Sequence, residues 1–253
     1  MAYLAEKLRV VVAECTVGRH LHRLGWTLVR PSLTVSSPDS DYARKVAELE
    51  SLQAQAGRGE IALLFADEAD LDLLPGVTRC WTRVGEQRKV LTPGNNQKRY
   101  AFGAVHYTEG TVVSSVSERK DSAGFCALLE VIVARYCPGP VWKGLPVVVV
   151  ADNYVIHKSK ATQQVLAKYA DRLRVFSLPT YSPELNVIER LWRYLRSQVT
   201  HNHLFASIEE LVQAVKQFFA NLAADRGSVL SIIGSHTDAH QATHIPNNLC
   251  TII

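Results

Sequence analysis

Ile61-Ala62-Leu63-Leu64-Phe65-Ala66-Asp67-Glu68 is a run of six apolar residues closed by two acids. An unbroken apolar run of this length, without alternation, suits a strand buried on both faces of a sheet. A second run, Leu145 to Ala151, ends the same way, in Asp152-Asn153. Between them, Arg99–Tyr107 and Thr111–Ser117 are β-rich and flank Thr108-Glu109-Gly110, which predicts a hairpin. Asp121 to Tyr136 has helical periodicity with an Asp at its start. Helical Lys158–Tyr169, a short strand at Arg174–Leu178, and helices at Leu185–Val199 and Ile208–Leu222 follow. The order strand, hairpin, helix, strand, helix, strand, helix predicts an α/β fold of three layers around a mixed sheet, spanning 61–225.

Outward from this unit the texture changes. Residues 38–60 read as a helical linker, with a charged helix from Asp41 to Gln55 ended by Gly57 and Gly59. Its position makes it a candidate dimer contact. In residues 1–37, Thr16 is placed to cap a helix running to Leu24, and Gly25 to end it as an αL cap. Trp26–Val29 then reads as a strand stopped by Pro31. With helical composition at Tyr3–Leu8 before it, this is the order of a partial helix-turn-helix with a wing, its second helix carrying Arg19, His20, His22 and Arg23. A small amphipathic helix with a solvated basic face is the plainer reading. Residues 226–253 lose periodicity and read as an irregular tail.

Composition narrows the classes. Of 253 residues, 47% are hydrophobic and 21% charged, which is ordinary for a chain able to bury its own core. Lys and Arg number 28 against 24 acids, so the net charge of +4 permits a nucleic-acid partner without requiring one. No apolar run approaches the roughly 20 residues of a membrane helix, and charges at Glu6, Lys7 and Arg9 interrupt any signal sequence. The five cysteines are scattered without a CxxC pair, which argues against a disulfide framework or zinc ribbon and for a reducing, cytoplasmic setting.

The chemistry concentrates at the strand ends. In open α/β sheets ligands gather at the carboxyl ends of strands, and two adjacent carboxylates there raise each other's pKa until a cation relieves them. Hard oxygen ligands suit Mg²⁺ or Mn²⁺. Either Asp could instead open a turn or cap a helix. In Leu185–Val199, Ile188, Leu191 and Trp192 form one apolar face, and Glu189 lies beside it. That Glu is placed to look toward the strand ends, or to pair with Arg193 one turn on.

Three blocks together resemble a known family. Asp67-Glu68, then Asp152-Asn153 with His157, and Ser182-Pro183-Glu184-Leu185-Asn186-Val187-Ile188-Glu189 with Trp192 resemble the signature blocks of DDE transposases, in the bacterial insertion-sequence branch of the Tc/mariner superfamily. The third block and its spacing from Asp152 are specific; a lone Asp-Asn is not. Trp81, Gly85 and Arg88 also resemble the family's segment after the first Asp. The resemblance implies an RNase H-like fold, with Asp67, Asp152 and Glu189 as catalytic metal ligands for two Mg²⁺ or Mn²⁺ ions. It implies hydrolysis at element ends followed by strand transfer. Glu68, Asn153 and His157 would support the triad. Double-stranded DNA, as terminal repeats and target, would be the partner of a homodimer in the bacterial cytoplasm, at the nucleoid. Arg19, His20, Arg23, Arg88, Lys158, Arg190 and Arg193 are the candidate DNA contacts. The segments Val77–Lys120 and Lys158–Thr200 each carry eight basic residues against three acids, which fits. Val187 stands where the family has Pro, and the N-terminal region reads as shortened. Two rivals remain at this stage: an inactive DNA-binding remnant, and a nuclease that cuts without joining.

Overall fold

The computed structural model describes residues 6, 9, 13–27, 37–139 and 143–235. It divides into two compact units, residues 1–36 and 37–253.

In the first unit, helix α1 spans Glu14–Arg23. It begins after Ala13, so Thr16 lies inside the helix rather than capping it. Its C-terminus follows expectation. Gly25 has φ +80, Trp26 N–H reaches the Leu21 carbonyl at 2.9 Å, and Gly25 N–H reaches that of His22 at 3.0 Å. That pair of bonds is a Schellman cap, which a glycine makes cheaply. The remainder of the wing strand, from Leu28, lies outside the described residues.

The second unit holds a five-stranded sheet in the order β3-β2-β1-β4-β5. The strands are β1 (Ala62–Asp72), β2 (Lys98–His106), β3 (Val112–Ser117), β4 (Val147–Ala151) and β5 (Leu173–Ser177). β1, β2 and β3 are antiparallel neighbours, whereas β4 and β5 run parallel to β1. The mixed sheet is the expected one. β1 runs beyond the expected end, because its ladder with β2 continues to Asp72. Its parallel ladder with β4 stops at Phe65 opposite Val150. Continuing that register by two residues brings Asp67 level with Asp152.

Helices cover both faces. On one face, Leu63, Phe65, Val148 and Val150 pack with α2 (Tyr42–Gly57), α5 (Ile188–Leu195), α6 (Ile208–Ala223) and α7 (Arg226–Ile233). On the other, Leu64, Ala66, Phe102 and Val149 pack with α3 (Ser122–Tyr136) and, at its edge, α4 (Lys160–Lys168). Side chains alternate across β1, so Asp67 follows Phe65 onto the α5 face and Glu68 follows Ala66 onto the α3 face. Asp121, Ser159 and Ser207 cap α3, α4 and α6 through their side chains, each accepting a backbone N–H three residues on.

Two expectations about organisation need correction. The segment 38–60 is no spacer: Leu49, Leu52 and Ala56 of α2 are buried in the core. Nor is all of 226–253 irregular. α7 buries Val229 and Ile233, and Asp225 caps it by accepting from Ser228 N–H. The apolar pair Val229 and Ile233 has helical spacing, too short a pattern to read alone. Residues 236–253 lie outside the described residues.

Candidate active site

Asp67, Asp152 and Glu189 line one cleft of about 340 Å³ at the carboxyl end of β4. Glu189 gets there because α5 starts one residue before it. Val187 precedes the helix with φ -63, ψ -23, within the range proline would impose, so valine fills the family's proline position without changing the backbone. Ile188, Leu191 and Trp192 are buried as expected, which fixes the helix and turns Glu189 to the cleft. Pairing of Glu189 with Arg193 does not occur among the ion pairs of the described residues.

The two aspartates are held differently. Trp192 Nε1 donates to Asp67 Oδ2 at 3.0 Å. The indole reaches it by crossing β2 at Gly103, the residue paired with Asp67. A Cβ there would stand 2.7 Å from Trp192 Cη2. Burial, then the nearby Glu189 charge, pushes Asp67 up to about 7. Asp152 Oδ1 instead accepts the Tyr154 backbone N–H at 2.8 Å and faces His157 Nδ1 at 3.0 Å. Partial burial would raise its pKa, but these bonds hold it below the usual carboxylate value.

His157 is the hinge of this arrangement. It is 3% exposed, and its Nε2 lies 3.1 Å from Glu68 Oε1. Burial would discharge the ring. Hydrogen bonds to Asp152 and Glu68 outweigh that and push its pKa up to about 10, so it is an imidazolium at neutral pH. The Phe125 ring packs on it at 4.2 Å between centroids. Asn153 donates through Nδ2 to the Leu178 carbonyl and accepts from Lys158 Nζ at 2.7 Å through Oδ1, tying the ends of β4 and β5.

The donor set at the cleft is three carboxylates, and among the described residues no three acids, histidines or cysteines stand close enough to cage one ion by themselves. Hard cations such as Mg²⁺ are commonly held by one or two carboxylates plus waters.

The sequence pattern of the DDE superfamily endonucleases matches residues 62–212, over half of the chain and including all three carboxylates. The chain belongs to that family. A Shigella sonnei relative, the insertion element IS630 uncharacterized 39 kDa protein, is 34% identical over 210 residues, 82% of this chain and 59% of that protein. The chain thus spans less than two thirds of this relative's length. Among solved structures, the Mos1 mariner paired-end complex with Mn is similar at a TM-score of 0.64 and 17% identity, over 91% of this chain and 69% of that one. The catalytic domain of Mos1 mariner transposase is similar at 0.56 and 15%, over 80% and 91%. At such identities the likeness speaks to the fold, which is the RNase H-like one expected.

The remaining expected DNA contacts are dispersed. Arg19, His20 and Arg23 are exposed on α1, in the first unit. Arg88 is exposed in the long loop between β1 and β2, as is Trp81, at 94% exposure. Lys158 and Arg193 are exposed in the second unit. Arg190 is exposed in the second unit as well, and its Nη1 also donates to the Ile233 carbonyl at 2.5 Å, closing the end of α7. That role went unseen because α7 itself did. The sequence also marked Trp192 as core only, since periodicity does not report what an indole N–H touches. Tyr154 and Tyr181, exposed aromatics lining the cleft, carried no signal beyond their neighbours in the motif blocks.

Proposed function

We propose that this chain is the catalytic part of a DNA transposase, cutting phosphodiester bonds at the ends of a mobile element and joining them to target DNA. The observation that supports it most is the convergence of Asp67, Asp152 and Glu189 on one cleft within a DDE endonuclease fold. The Mos1 mariner paired-end complex and the Mos1 strand transfer complex share the fold, which supports DNA ends as substrate; action as a homodimer is part of the same proposal.

The all-oxygen donor set fits Mg²⁺ or Mn²⁺: Asp67, Asp152 and Glu189 would hold the metal, two ions on this reading. Bound there, such ions supply Lewis acidity for in-line phosphoryl transfer. The chain's own residues set the geometry. Trp192 aims one Asp67 oxygen and leaves the other to the cleft. His157 and the Tyr154 N–H orient Asp152, and Glu68 keeps His157 charged. Asn153 and Lys158 fix the loop after β4. Arg88, Lys158 and Arg193, with Arg19, His20 and Arg23, offer positive charge to phosphates, so affinity falls with salt.

The test uses end-labelled DNA carrying the element's terminal repeats, with Mn²⁺ and a target plasmid. The expected products are cut ends and joined strands, both lost in Asp152→Ala. Cutting without joining would make the chain a nuclease. DNA binding without cutting by the wild type would make it an inactive remnant.

A further inference from the structure

The metal reading leaves one atom in the cleft unexplained. Asn186 is 4% exposed and lines the same cleft as Asp67, Asp152 and Glu189. Its Nδ2 donates to the Ala66 carbonyl at 3.1 Å, immediately before Asp67. Its own backbone carbonyl accepts the Glu189 N–H at 3.1 Å. One residue thus clips the strand carrying one catalytic carboxylate to the helix carrying another. Its Oδ1 is buried and has no hydrogen-bond partner.

The orientation of the amide follows from that clip. Turning it over would set Oδ1 against the Ala66 carbonyl, two acceptors face to face, so Nδ2 belongs at Ala66 and Oδ1 elsewhere. A buried carbonyl oxygen without a donor is costly, and native proteins rarely leave one. The Trp192 indole and the Tyr154 N–H are taken by the aspartates, and the hydroxyls of Thr180, Tyr181 and Ser182, which also line the cleft, make no bond to Oδ1. Above about pH 7 Asp67 too is an acceptor. A bare cation would satisfy the charges. A hydrated cation would satisfy the charges and Oδ1 together, because its waters present O–H donors. Small divalent ions hold several such waters. A fourth carboxylate at this position would add repulsion, whereas a neutral amide adds an acceptor without charge.

We propose that Asn186 is a positioning residue of the metal site: its Oδ1 accepts a hydrogen bond from a water of the bound cation and holds that water in the cleft. The inference rests on the metal reading above, and its test separates the two.

Mn²⁺ is titrated into the full chain, with free aquo-Mn²⁺ followed by electron paramagnetic resonance, and melting temperatures are taken without metal. Wild type, Asn186→Ala, Asn186→Asp and Asp152→Ala are compared at pH 8. Loss of such a supporting group typically weakens metal binding about 10-fold. Asn186→Ala is therefore expected to raise the Mn²⁺ dissociation constant about 10-fold. Asn186→Asp, which retains an oxygen but loses the Ala66 bond, is expected to melt lower without metal yet bind Mn²⁺ at least as tightly as wild type. If Asn186 is only a clip, both variants melt lower and both bind Mn²⁺ either as wild type does or in proportion to lost stability. That result overturns the proposal and leaves the carboxylate site standing. If Asn186→Ala does not fold, weaker Mn²⁺ binding by Asn186→Asp overturns it. No Mn²⁺ binding by wild type, or equal binding by Asp152→Ala, overturns the metal reading and this inference with it.

Discussion

Asp67, inside β1, and Asp152, just past the end of β4, line one cleft, and the protein surrounds them with opposite chemistry. Asp67 meets a neutral donor, the Trp192 indole, beside the like charge of Glu189, and holds its proton up to about 7. Asp152 meets the buried imidazolium of His157 and stays ionised well into acid. Burial and the like charge of Glu189 disfavour an ionised Asp67, and a cation bound in the cleft would relieve both. The two environments differ in kind: Asp152 sits in a charge pair with His157, and Asp67 holds a proton that a bound metal would displace. The split also follows the sheet. Adjacent residues on β1 face opposite layers, so Glu68 reaches His157 under the sheet while Asp67 meets Trp192 above it.

The largest effect is expected from breaking the charged side. His157→Leu leaves Glu68, whose side chain is 1% exposed, buried beside no cation. Removing one member of a buried pair typically costs about 3–5 kcal/mol. Urea unfolding of the metal-free chain should show that loss, and Glu68→Gln in the same background should recover part of it. A loss below about 1 kcal/mol would mean the pair is not what holds the β4 end.

The neutral side should respond less. Trp192→Phe removes the Asp67 donor and some ring volume, for an expected loss of about 2 kcal/mol. Asp67 should then hold its proton to still higher pH, which a carbonyl-labelled aspartate resonance would report. Gly103→Ala tests the same contact from the other strand. Its Cβ must push the Trp192 ring aside, at an expected cost of about 1–3 kcal/mol, and the substitution should be better tolerated in the Trp192→Phe protein. Additive losses would show that the two residues do not share the crossing point.

These contacts differ in how far the sequence discloses them. Two apolar runs ending in acids, the hairpin between them and the helix placing Glu189 were legible, because periodicity and turn residues are local properties. That Asp67, Asp152 and Glu189 belong together came from the family resemblance; strand ends and helix periodicity alone left Glu189 open. The Glu68–His157 pair joins residues 89 apart and depends on β1 and β4 being neighbours. Trp192 reads as an apolar helix position whichever way its N–H points. α2 reads as a charged linker because only Leu49, Leu52 and Ala56 face inward. α7 is too short to show a period, so the bond by which Arg190 closes it was not legible beside its reading as a DNA contact.

The smallest effect is also the one that sets the two aspartates most directly against each other. A cation binding at Asp67 must displace the proton held there below pH 7, whereas Asp152, already ionised, releases none. Mn²⁺ affinity should therefore rise about 10-fold from pH 6 to pH 7 or 8 and then level, about 1.4 kcal/mol in free energy. Calorimetry in buffers of different ionisation enthalpy should find close to one proton released per chain at pH 6 and almost none at pH 8. The metal-free chain should show the reverse sign. A carboxyl whose folded pKa is raised contributes stability that is complete below its unfolded value near 4 and lost as pH rises through about 7. Asp67→Asn should remove both slopes, leaving the contribution of His157, which is complete below its ordinary value near 6.5 and lost only as pH rises through about 10. Proton release that persisted in Asp67→Asn would place the stored proton on another carboxylate and dissolve the contrast between the two strand ends.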